Sequence, residues 1–112
     1  METSIMVVND REIEVDNEGY LLNPDDWDLE VANKMAEVIN IEMTDHHWEV
    51  VNYVRNYFDD NYAIPEFRHA LKFLKAKLGD DIVNRKFVYK LFPYGYGQQA
   101  CRIAGMRKPL KI

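Results

Sequence analysis

Between Thr44 and Tyr62 the chain reads "TDHHWEVVNYVRNYFDDNY", and this stretch constrains the fold more than any other. Val51, Val54 and Phe58 recur at helical spacing, with Val50, Tyr53 and Tyr57 beside them. An apolar face that wide cannot be covered from one side, so the helix must be central. Its neighbours must come from the same 112 residues, which amount to one small domain. Apolar residues make up 47 % of the chain, enough to fill a single core.

The surrounding elements can be read from their ends. "SIMVVNDREIEV" alternates on both sides of Asn9-Asp10, a pair able to take positive φ, and predicts a hairpin with strands near residues 4–8 and 12–15. "DNEGY" is a second turn, with Gly19 at its tight position. "NPDDWDLEVANKMAEVIN" predicts one helix capped by Asn23, with Pro24 first and Trp27, Val31, Met35 and Val38 as its stripe. Thr44 caps the central helix. Pro65 and Gly79 bracket a third helix whose core side is Phe67, Leu71, Leu74 and Leu78. A fourth, "DDIVNRKFVYKLF", is capped by an Asp, and Gln98 to Ala104 make a short fifth ended by Gly105. The expected fold is mainly α: a compact bundle of about five helices (core 23–105), an N-terminal β-hairpin region (1–22) and a flexible C-terminal arm (106–112). Trp27, Trp48, Val51, Phe58, Leu71 and Leu74 are expected to be buried.

Charge is divided unevenly along the chain. Residues 1–81 hold all 19 acidic groups and 7 basic ones; residues 82–112 hold 7 basic groups and no acidic one. This polarity suggests an anionic or acidic partner docking through Arg85, Lys86, Arg102 and Lys108, with Arg68 as a further docking candidate, unless the fold mixes the two halves. No apolar run approaches the roughly 18 residues of a membrane span. The N-terminus lacks the pattern of a signal peptide, and one cysteine allows no internal disulfide, so a cytoplasmic protein is expected.

Most candidate chemistry is weak. His46 and His47 are adjacent and point about 100° apart on a helix, and His69 has no partner at ligand spacing, so no metal site is expected. Asp25-Asp26, Asp59-Asp60 and Asp80-Asp81 fit helix ends better than acid/base catalysis. "GYG" is too short for a phosphate loop, and no cofactor motif is present. The second and third helices resemble a helix-turn-helix with a basic edge of Arg68, Lys72 and Lys75, which leaves DNA open as an alternative partner; an acidic chain speaks against it. Cys101 remains. Its placement early in a short helix, beside Arg102 and in a segment without acids, would favour the thiolate, the form that attacks sulfur. The competing reading is a small buried packing residue.

Several stretches resemble the DsrC/TusE family of small sulfur-relay proteins. They are "DNEGYL" (Asp16 to Leu21), "DW" (Asp26-Trp27), "VANKMA" (Val31 to Ala36), "MTDHHW" (Met43 to Trp48), "IPEFR" (Ile64 to Arg68), "YKLFPYG" (Tyr89 to Gly95), "QACRIAG" (Gln99 to Gly105) and "KP" (Lys108-Pro109). The resemblance implies a helical bundle with a small hairpin and a mobile C-terminal arm. It also implies partners among sulfur-relay proteins or dissimilatory sulfite reductase. In that family the sulfur-carrying thiol is the next-to-last residue of the arm, where this sequence has Lys111. Cys101 matches a second family cysteine in the "QAC" helix and is the only candidate carrier here. "FPYGYGQQ" departs from the more usual "FPxGPxKQ" at Tyr96 and Gln98. The readings implied are a relay member using Cys101, or a silent regulatory paralogue that keeps the docking surface.

Overall fold

A computed structural model of the chain describes residues 3–109. It begins with an antiparallel hairpin, β1 (Thr3–Val8) and β2 (Arg11–Asp16), in which Met6 pairs with Ile13 and Val8 with Arg11. Asn9 and Asp10 form the turn at φ 48° and 67°. That left-handed region suits tight hairpins, and short polar side chains tolerate it. Ile13 and Val15 face the core, while Glu12 and Glu14 face water. The buried Asp16 carboxylate accepts the N–H groups of Glu18 and Tyr20 at 2.9 Å each, closing the second turn. Leu21 then bridges back to Val15.

The helix expected from Pro24 onward is two pieces. A 3-10 turn (Pro24–Asp26), capped by Asn23, stops at Trp27. The helix α1 (Leu29–Val38) restarts on Asp28, whose carboxylate accepts the Val31 N–H at 2.9 Å. Asn23 and Asp28 are both good caps. A tertiary bond favours the break: the Trp27 indole N–H donates to the Ile103 carbonyl at 2.8 Å. Val38, counted in the apolar stripe, ends α1 and is 51 % exposed.

The central helix is α2 (Asp45–Asn61), with Val50, Val51 and Val54 buried. Its aromatic flank packs sideways, Tyr53 stacking on Phe73 at 4.4 Å. Of the six residues expected to be buried, Val51 and Leu74 are fully so; Trp27, Trp48, Phe58 and Leu71 keep part of their surface in water. Tyr62, at φ 52°, turns the chain into α3 (Phe67–Leu78), which Gly79 ends. The next helix, α4 (Arg85–Leu91), is shorter than expected. Its cap is Asn84, which accepts the Phe87 N–H at 2.9 Å, whereas Asp80 and Asp81 lie in the preceding turn.

In place of a regular fifth helix over 98–104, a π-helical turn over Tyr96–Ala100 runs directly into α5 (Cys101–Ile103). This segment is driven through the middle of the molecule: Ala100, Cys101, Ile103 and Ala104 expose nothing, like Leu21, Val31, Val54, Leu74 and Phe92. The fold is thus the expected helical bundle with one hairpin. Met106, placed at the start of the arm by the sequence, is buried, and its N–H donates to the Cys101 carbonyl at 3.0 Å. Lys108 is tied to Glu18 at 2.9 Å. The rest of the expected arm, 110–112, lies outside the described residues.

Candidate functional site

Cys101 has none of its surface exposed. Because the helical segment begins at Tyr96, the cysteine lies well inside it, and its own N–H already bonds the Tyr96 carbonyl. Free N–H groups of a helix start therefore do not surround the sulfur. Arg102, next in sequence, sends its guanidinium toward the Tyr20 ring, 5.9 Å from the centroid. Both features expected to favour the thiolate are thus directed elsewhere. Burial pushes the thiol up to about 12, with only the neighbouring Tyr96 hydroxyl pulling the other way. The lowered pKa expected from the sequence is reversed, because burial away from charge disfavours the anion.

Tyr96 touches both the thiol and the surface. Its hydroxyl donates to the Pro65 carbonyl at 2.7 Å, and its ring lines an open groove of about 960 Å³. Phe58 of α2, Ile64 and Pro65 of the α2–α3 connection, and Phe67, Tyr89 and Tyr94 also line it. Burial pushes the Tyr96 phenol far above its usual range, so it stays neutral. Tyr62, Tyr89 and Tyr94 are the well-exposed aromatics around the groove, at 86 %, 49 % and 77 %.

The candidate docking residues divide. Arg68, Arg85 and Lys108 line the groove. Lys86 is exposed on α4 but outside it, and Arg102 faces a second cavity of about 410 Å³, which Lys108 also borders. Inside the groove, Arg68 leans on Glu66 at 3.1 Å and Arg85 stacks over Phe67 at 5.2 Å. The two charge blocks mix only in part. Arg11 meets Asp28 at 2.8 Å and Lys108 meets Glu18, yet among the described residues Arg85, Lys86 and Lys90 have no carboxylate at ion-pair distance. A cationic face on α4 survives folding. Lys72 and Lys75 border a separate shallow cleft with Arg68 and Gly79.

Two histidines have structural duties. His47 and His69 both sit at the third position of a helix and accept a cap N–H on Nδ1, from Thr44 at 3.0 Å and from Glu66 at 3.1 Å. His47 Nε2 lies 2.8 Å from the Leu91 carbonyl. An acceptor role at Nδ1 and a carbonyl at Nε2 together require the neutral Nε2–H tautomer. Burial accordingly holds its pKa below the ordinary value.

The sequence reading passed over Arg55. Its guanidinium stacks on Trp27 at 4.4 Å and donates to the carbonyls of Pro24 at 3.2 Å and Ala104 at 3.1 Å. A lone cation beside the broad apolar face of α2 was the available signal. Tyr96 was visible only as a departure from the family pattern. No helix among the described residues is long and apolar enough to cross a membrane.

The family model "DsrC like protein" matches residues 7–112. The chain is 38 % identical over 104 residues to the sulfurtransferase TusE homolog of Haemophilus influenzae, covering 93 % of this chain and 95 % of that one. It is 36 % identical over 107 residues to the sulfurtransferase TusE of Escherichia coli K12, covering 96 % and 98 %. The oxidized gamma-subunit of dissimilatory sulfite reductase (DsrC) from Archaeoglobus fulgidus superposes with a TM-score of 0.90 at 34 % identity, over 97 % of this chain and 99 % of that one. DsrC of Allochromatium vinosum gives 0.88 at 40 % identity, over 98 % of each chain. Alignment along nearly the whole length, on the same helical bundle, places this chain in the DsrC/TusE family.

Proposed function

We propose that this protein serves a sulfur relay as a docking member, presenting the groove and the α4 cations to a sulfurtransferase or sulfite-reductase partner. On this reading Cys101 does not carry sulfur while the fold is intact. The observation that carries it is the cysteine itself: no exposed surface, and a thiol pushed up to about 12. Sulfur transfer needs a thiolate in contact with the donor. The aromatic and cationic lining of the groove supports docking, since aromatic residues and Arg concentrate binding energy at interfaces.

The carrier reading has one observation in its favour. Tyr96 neighbours the Cys101 thiol and also lines the groove, so the sulfur lies directly behind a residue of the groove wall. Intact-mass measurement after incubation with a persulfide donor separates the two. The expected result is no added sulfur on the native protein and one added sulfur atom when the donor is present during unfolding. Sulfur uptake by the native protein, abolished by Cys101→Ala, would overturn the docking reading in favour of the carrier.

A further inference from the structure

Arg102 is the side chain that the groove and the thiol leave unexplained. It is half-buried, and its Nε is out of water without a hydrogen-bond partner. Among the described residues no carboxylate stands at ion-pair distance from it. The guanidinium is nonetheless held in place. It lies against the backbone of Gly19, at φ 90°, where an added Cβ would come within 2.8 Å of the Arg102 Cζ. The Tyr20 ring supports it from one side. A half-desolvated guanidinium without a counter-charge is costly.

The cavity before it supplies the setting. Arg102, Lys108, Gln98, Tyr20 and Tyr94 line a space of about 410 Å³, with Glu18 as its one carboxylate. Glu18 is engaged with the Lys108 ammonium at 2.9 Å, so the guanidinium charge is left over. A guanidinium fork matches a ligand presenting two oxygens side by side, and a neighbouring lysine adds a point charge.

We propose that Arg102 and Lys108 form a binding site for a small oxyanion, such as sulfate, sulfite or phosphate. The site adjoins the docking groove and shares Lys108 with it, but Arg102 does not line the groove, so anion binding on Arg102 stands whether or not the groove binds a partner. Binding leaves the Lys108–Glu18 pair at the rim and puts the anion on the Arg102 fork.

Sulfate, which is chemically inert here, is the probe. Titration followed by nitrogen–proton NMR, against sodium chloride of matched ionic strength, should give a saturating shift at the Arg102 Nε–H and at the amides of Gly19 and Tyr20. Lys108→Gln, at an exposed position, should weaken binding severalfold and leave the rest of the spectrum unchanged. Arg102→Gln should abolish the saturating shift, and Arg102→Lys should retain weak binding and control for loss of packing. Sulfate should raise the melting temperature of the wild type more than that of Arg102→Gln. An unsaturated response, one that chloride reproduces, or one that survives in Arg102→Gln would each overturn the proposal.

Discussion

Alkylation of Cys101 tests the docking reading most directly. A thiol pushed up to about 12, against about 8.5 for a free one, holds on the order of 10³-fold less thiolate near neutral pH. Direct attack from the closed fold is suppressed by at least that factor, since no surface of the residue is exposed. The other route is reaction through transient opening, which is limited by the opening equilibrium. A factor of 10³ corresponds to about 4 kcal/mol, below the roughly 5–15 kcal/mol that domains of this size hold against full unfolding. Iodoacetamide at pH 8, followed by intact mass, should therefore label the native protein more slowly than the same protein in guanidinium by a factor on the order of 10³ or more. A native rate within tenfold of the unfolded one would refute the argument, because neither burial nor the raised pKa could then hold in solution.

Three further outcomes are expected. Gly105→Ala forces a side chain into φ 77°, with its Cβ 2.8 Å from the Trp27 Cγ; left-handed strain and overpacking together should cost about 2–5 kcal/mol, lowering Tm by about 10 °C or more in thermal circular dichroism. An unchanged Tm would contradict the packing described. His47, held neutral with a lowered pKa, contributes stability that is whole above about pH 6.5 and is lost as pH falls toward its folded value; His47→Gln should flatten that part of a denaturant-stability profile between about pH 7 and 5, and an identical slope would show that His47 is not its source. Docking to a sulfur-relay partner should weaken as salt rises and be cut by Arg85→Glu, which lies in the groove, more than by Lys86→Glu, which lies outside it; equal effects in a binding titration would move the interface to the outer face of α4.

The local devices were legible in the residues. Alternation around Asn9-Asp10 located the hairpin, and Thr44, Pro65 and Gly79 bracketed α2 and α3, because turns and caps depend on nearby chemistry. The break at Trp27 was not legible. Asn23 and Asp28 compete as caps, and the bond accompanying the break comes from Ile103, 76 residues away. The π-helical turn was hidden for the same kind of reason: nothing local distinguishes it from a helix that starts at Gln98. That small displacement changed the chemistry assigned to Cys101, since it moved the helix start away from the sulfur. The direction of Arg102 follows from the space left open by Gly19, a tertiary matter that adjacency to Cys101 could not reveal. The cationic face of α4 was visible as a run of uncompensated charge, though which of its members border the groove was not.

The contact between Trp27, Arg55 and Gly105 gives the molecule an internal optical gauge. Indole emission depends on the polarity of its surroundings and on neighbouring charge. The Trp27 ring has a guanidinium on one face at 4.4 Å, an N–H committed to Ile103, and the Gly105 backbone against its edge. Its spectrum therefore reports whether the segment carrying Cys101 is seated. Replacing Trp48 by Phe leaves Trp27 as the only tryptophan. In that variant, unseating of the C-terminal segment on binding a partner should appear as a red shift in fluorescence, with no label attached.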